Sequence, residues 1–157
     1  MIYITGLPTA YHATLHNKSS AFVLKQKQMK KQVINPWKWQ DTRGYVQAVE
    51  VKNVESTLYV SGQTAINAEG HVSTADMKTQ LIESIQNLEQ VLREAGYECQ
   101  NIVRLNMYTT STKELLLHFD IFQKWVASRN IKQTLTVIEV VSLFETLKVE
   151  LEVTAVK

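Results

Sequence analysis

The sequence predicts an α+β domain with one mixed β-sheet and two helices packed on a single face of it. Three observations point there: the order strand, strand, helix, strand, helix, strand, strand from Tyr45 onward; a long amphipathic segment ending at Gly96; and a closing run in which apolar and polar residues alternate. With 157 residues, of which 45% are hydrophobic, the chain is long enough for one core and short for two.

The first 28 residues, "MIYITGLPTAYHATLHNKSSAFVLKQKQ", hold no sustained period of 2 or 3.6 and end in a basic, Gln-rich stretch. They read as an appendage, with Met29 as an alternative start, so the chain divides into an appendage over 1–30 and a domain over 31–157. His12 and His16 have the spacing of two ligands on one helix face, but no Glu or third ligand accompanies them, so a metal site is not expected.

"YVQAVEV" and "TLYVSGQ" are β-rich runs separated by the polar "KNVES", a pattern that predicts a hairpin. In "STADMKTQLIESIQNLEQVLREAG", Met77, Leu81, Ile85, Leu88 and Leu92 recur every three or four residues, Ser73 and Asp76 have capping-box spacing, and Gly96 supplies a stop. "NIVRLNMYTT" reads as a strand, and "STKELLLHFDIFQKWVASRN" as a second helix with Leu115, Phe119, Phe122 and Val126 on one face. "QTLTVIEVV" and "LKVELEVTAV" supply the last two strands.

Composition narrows the function classes. Seventeen basic and 15 acidic residues leave a net charge of +2 with no basic stripe, which argues against nucleic acid or an anionic membrane as partner. One cysteine, Cys99, excludes an intramolecular disulfide and any multi-cysteine metal site. No apolar run reaches the roughly 18 residues that span a bilayer, and no signal peptide opens the chain, so the cytoplasm is the expected compartment.

Three glutamates, Glu139, Glu150 and Glu152, sit in the two closing strands. Alternation puts Leu147, Val149, Leu151, Val153 and Ala155 under the helices and Glu150 and Glu152 on the opposite face. On the preceding strand Leu135, Val137 and Val141 share one side and Thr136, Ile138 and Val140 the other. Both sides are apolar, and with two helices available the second cover comes most cheaply from another copy of the chain. Glu150 is then expected near a subunit boundary, where partial burial favours proton transfer.

The segments "GYVQAVEV", "LYVSGQT", "NLEQVLREAGY", "IVRLNMYTT" and "LKVELEVTAV", in that order over about residues 33 to 157, resemble the RidA (reactive intermediate deaminase) family, also called YjgF. The resemblance implies a chorismate-mutase-like α+β subunit, usually a homotrimer, with small-molecule sites in the clefts between subunits. For the best-known branch it implies hydrolysis of enamines and imines such as 2-aminoacrylate to 2-keto acids and ammonia, with no cofactor or metal. Tyr45 matches a tyrosine that lines the family's cleft, Ser61, Gly62 and Gln63 match its "SGQ" turn, and Glu150 matches the glutamate that positions the attacking water.

Two positions depart from that pattern. Leu135 stands where deaminating members carry an arginine that pairs with the substrate carboxylate, and Phe119 stands where an asparagine reaches the cleft. Thr136 and Val137 follow Leu135 in the same ligand-facing stretch. Losing the arginine removes charge-assisted hydrogen bonds worth about 1.5–3 kcal/mol each, so a small anionic imine acid is expected to bind poorly. Arg43, two residues before Tyr45, is a candidate replacement cation, and Trp37 and Trp39 either pack on the subunit surface or wall a larger, flatter ligand.

The expectation is a homotrimeric small-molecule cleft protein of variant type: an imine deaminase with altered substrate, or a non-catalytic metabolite-binding or regulatory trimer. An endoribonuclease or translation inhibitor fits less well, since His71 and His118 are far apart in sequence and no aromatic-interleaved basic stripe exists.

Overall fold

A computed structural model describes residues 27–157. The readings made on residues 1–26, including the His12 and His16 pair, lie outside the described residues. The elements are β1 (Lys30–Ile34), β2 (Ala48–Lys52), β3 (Thr57–Gln63), α1 (Met77–Glu94), β4 (Ile102–Thr109), α2 (Thr112–Leu116), α3 (Phe119–Ser128), β5 (Thr134–Glu139) and β6 (Val149–Val156), with 3-10 turns at Lys38–Gln40 and Cys99–Asn101.

Four strands form a mixed sheet in the order β3-β6-β4-β5, with β4 and β5 parallel and the other pairs antiparallel. The alternation in β6 holds from Val149 to Ala155: Val149, Leu151, Val153 and Ala155 are buried, while Glu150, Glu152 and Thr154 look out from the other face; the last residue, Val156, is buried as well. The helices cover the buried face. The α1 stripe of Met77, Leu81, Ile85, Leu88 and Leu92 joins Phe122, Trp125 and Val126 of α3 in one core with Leu105 and Met107 of β4. Each fully buried leucine in that stripe contributes about 2 kcal/mol by removal from water.

The cap of α1 is simpler than the Ser73/Asp76 spacing suggests. Asp76 Oδ1 accepts the Thr79 backbone N–H at 2.8 Å, whereas the Ser73 hydroxyl reaches only the Ala75 N–H at 3.4 Å. Gly96, at φ 74°, ends the helix as expected.

The hairpin expected across "KNVES" does not form. Strand β2 pairs with β1, an element that the basic "KKQVI" run does not announce, and Val33 lies opposite Val49. The cause lies in the connection: Asn53 turns the chain at φ 57°, and the backbone N–H groups of Glu55 and Ser56 both donate to the Lys157 carbonyl. That delivers β3 to the edge of β6, with Val60 opposite Val153, rather than back along β2.

The second helix is also divided. After α2 the N–H of His118 bonds to the Leu115 carbonyl, and the N–H of Ile121 bonds to that of His118, a tight turn that reorients the chain before α3. Glu139, at the end of β5, holds α2 in place: its Oε2 accepts from Thr112 N at 2.8 Å and Thr112 Oγ1 at 2.6 Å. Those hydrogen bonds keep its carboxyl below the usual range. Glu139 therefore fixes a helix start, a role complementary to the helix's N-terminal donors.

Two clusters, one buried and one partly exposed, stitch the layers together. Gln80 in α1 is fully buried, donates toward the carbonyls of Ser73, Ala75 and Thr146, and accepts from Lys148 N at 2.8 Å, tying the helix to the approach of β6. Glu89, also in α1, receives Arg129 at 2.8 and 3.0 Å and Trp125 Nε1 at 2.8 Å, with the Cys99 thiol beside it. Burial raises the Glu89 pKa, but the Arg129 and Trp125 hydrogen bonds outweigh it and leave the carboxyl lowered. Burial, followed by the Glu89 charge, pushes the Cys99 thiol up to about 11.

Candidate functional site

The residues singled out in the sequence separate into two groups on opposite faces of the sheet. The first gathers around Glu150. Between Val60 and Gln63 strand β3 carries one more residue than β6 does between Val153 and Leu151, a bulge at Ser61 and Gly62. The bulge brings Gly62 so close to Glu150 that a Cβ there would lie 1.7 Å from the carboxylate Oε1. While Glu150 holds this conformation, only glycine fits beneath its carboxylate. Gln63 Nε2 turns back to the Ser61 carbonyl at 3.1 Å.

Cross-strand pairing puts Tyr108 of β4 beside Glu150, and Asn106 beside Glu152. Tyr108 donates its hydroxyl to Glu152 at 2.9 Å, and that hydrogen bond, followed by burial, raises the phenol pKa. Glu152 is thus occupied. Among the described residues no side chain or backbone N–H donates to Glu150, which is half-buried at the bulge. It is the carboxylate of this face left available to water or a ligand.

The second group lines a cleft of about 780 Å³ between the α2–α3 turn, the β5 edge and the loop before β2. Arg43, Tyr45, Phe119, Leu135 and Val137 all contribute to its wall, with Leu116, Leu117, Asp120 and Gln123. Leu135 lies opposite Leu105 and Val137 opposite Met107 of β4, so both belong to the helix-covered side. Phe119 also packs on the core and sits 5.1 Å from the Phe122 ring, so it serves core and cleft together. Thr136 does not join them: it pairs with Asn106 and points to the Glu150 face.

Glutamines build the loop that carries Arg43 and Tyr45. Gln123 Nε2 donates to the Thr42 carbonyl at 3.0 Å, Gln133 Nε2 to the Gly44 carbonyl at 2.9 Å, and the Val46 N–H to the Gln133 carbonyl at 2.9 Å. Gly44 holds φ 79° with Gln123 Cγ only 3.3 Å from where a Cβ would stand. Below the loop, Gln47 donates to the buried Gln40 side chain. Sequence reasoning missed these positioning residues, because a glutamine carries no periodic signal and the carbonyls that Gln123 and Gln133 hold are distant in the chain.

Trp37 and Trp39 stack on each other at 6.3 Å, and each is more than half exposed, at 53% and 56%. The Arg43 guanidinium lies 5.2 Å from the Trp39 ring centre. The aromatic pair therefore stands behind Arg43, outside the residues that line the cleft.

Neither group is arranged to hold a metal: among the described residues no cluster of three His, Cys, Asp or Glu side chains is suited to one. Among them, too, no helix is long and apolar enough to cross a membrane.

Comparison with known proteins matches residues 39–157 to the family model described as Endoribonuclease L-PSP. A RutC family protein of Aquifex aeolicus is 33% identical over 113 residues, covering 72% of this chain and 88% of its own. Among solved structures, YyfB of the conserved Rid protein family from Yersinia pestis superposes with a TM-score of 0.72 at 29% identity, covering 81% of this chain and 98% of that one. The Escherichia coli YjgF gene product gives 0.60 at 24% identity, covering 72% and 87%. The mixed sheet, the helices on one face and the β3 bulge are thus set in a chain that belongs to the RidA/YjgF family.

Proposed function

We propose that this protein hydrolyses an enamine or imine to a carbonyl compound and ammonia, at sites completed between copies of the chain in a homotrimer. The observation that carries this reading is Glu150: a half-buried carboxylate set against Gly62 with no donor among the described residues, beside a Glu152 already held by Tyr108. Protonation of an enamine carbon by the Glu150 carboxyl gives an iminium; the resulting carboxylate takes a proton from water as it adds to the iminium carbon and passes that proton to nitrogen, and collapse of the carbinolamine expels ammonia while its hydroxyl proton returns to Glu150.

One chain does not bring Glu150 and the cleft residues together. Strands β6 and β5 are separated by β4, roughly 10 Å at ordinary strand spacing, and the two groups use opposite faces. A second copy that lays its cleft edge over the Glu150 face would unite them, which is why a trimer is part of the proposal.

The test is ammonia release from 2-aminoacrylate and from larger enamines generated in situ, with a Glu150→Gln control. Turnover of any of them that needs Glu150 supports the reading. Wild-type turnover in Glu150→Gln removes the mechanism. A non-catalytic ligand-binding trimer is the second reading, favoured by Leu135, which leaves no cation on the β5 side of the cleft. Ligand binding without ammonia release from any enamine would establish it.

A further inference from the structure

Arg43 is the cation that the cleft retains. Among the described residues it makes no ion pair, and the one acidic side chain on the same wall, Asp120, is held by Lys124 at 2.7 Å. The guanidinium carbon lies over the Trp39 ring, 5.2 Å from its centre, and among the described residues none of the guanidinium N–H groups donates a hydrogen bond. The backbone on either side is pinned by Gln123 at Thr42 and by Gln133 at Gly44, and Arg43 N itself donates to the Gln40 carbonyl at 2.8 Å. An unpaired arginine on a fixed loop, backed by an aromatic ring, is prepared for an anion.

The remaining wall sets the other half of the ligand. Tyr45, Phe119, Leu135, Val137 and Leu117 present an apolar surface within a cleft of about 780 Å³, a volume that a three-carbon acid would leave mostly wet. We propose that the cleft binds an organic acid with an aromatic or large apolar side chain, its carboxylate held by Arg43 and its side chain lying on Leu135 and Phe119. This rests on the reading of the cleft as a ligand site, and it is independent of whether ammonia is released. The cation reaches the ligand from the loop before β2, so the space beside β5 is left for carbon.

The experiment is isothermal titration of the full chain with phenylpyruvate, with pyruvate, and with 1-phenylpropan-2-one, which keeps the ring and the carbonyl but lacks the carboxylate. Phenylpyruvate is expected to bind roughly tenfold or more tightly than either. Arg43→Gln, and independently Arg43→Ala, should remove about tenfold of that affinity with the thermal midpoint unchanged, while Leu135→Arg shifts preference toward pyruvate. Equal affinity for the two acids, equal affinity for the uncharged ketone, or undiminished binding by both Arg43 variants overturns the proposal. Glu150→Gln separates the two claims: lost ammonia release with retained phenylpyruvate binding supports both. An enzyme active on enamines that binds the two acids alike retains the deaminase reading and sinks this one.

Discussion

The Glu150 face and the Arg43 cleft are built by different means. Around Glu150, regular strand pairing interrupted by one bulge puts a carboxylate against a glycine, so the geometry follows from the sheet itself. Around Arg43, an irregular loop is held by side chains of Gln123 and Gln133 that come from α3 and from the residue before β5. A site made by the sheet is rigid in position and tolerates little change in residue type. One made by a pinned loop can change its chemistry while its frame stays put. Arg43 stands on a frame of that second kind, whereas Leu135 is carried into the same cleft by the regular pairing of β5 with β4.

The sharpest way to break this contrast is at Gly62. A Gly62→Ala chain must displace Glu150, since the added carbon would stand 1.7 Å from its oxygen. Enamine turnover is expected to fall on the order of 10²–10⁴-fold, as for loss of a general acid, with phenylpyruvate affinity kept. A Gly62→Ala protein with normal turnover would show that Glu150 need not occupy this position.

Next is Gln80, whose buried amide fixes the approach of β6 to its place. Gln80→Leu strands the Lys148 N–H and several carbonyls and should lower stability by about 3 kcal/mol. A thermal midpoint depressed by roughly 10 °C is the expected readout, and an unchanged midpoint would show that the network is not needed.

On the cleft side, Gly44→Ala must place a side chain at φ 79°. The penalty is about 1–2 kcal/mol, and the displaced loop should raise KM for enamines while leaving kcat near wild type. A fall in kcat with KM unchanged would couple the loop to the Glu150 face and dissolve the distinction between them.

The smallest effect is pH-dependent and lies away from both groups. Glu89 has its folded pKa below its ordinary value, so its contribution is present above about pH 4.5 and is lost as pH falls through the folded value. Between pH 5 and about 3, wild type should therefore lose stability more steeply than Glu89→Gln, by less than about 1 kcal/mol for a partly exposed pair. Parallel acid unfolding curves would refute this.

Much of the sheet and of α1 was legible in the sequence. "TLYVSGQ" is β3 over its whole length, the α1 stripe is the buried stripe, and the alternation of β6 identified the exposed face of Glu150. Each is a periodic signal that burial on one side creates. What could not be read depends on partners far along the chain: β2 choosing β1 over β3, His118 breaking a helix whose apolar period continues, and the separation of Thr136 from Leu135 and Val137. The resemblance groups the site residues as one set, and the fold of a single chain divides them between two faces.

The Glu89 cluster has a chemical consequence of its own. Cys99 is the sole thiol in the sequence, and with burial and the Glu89 charge pushing its pKa up to about 11 it stays in the thiol form at neutral pH. Thiolates attack electrophiles such as imines and α,β-unsaturated acids, so the chain keeps its one thiol quiet, and alkylating reagents should label that thiol far more slowly in folded protein than in unfolded protein.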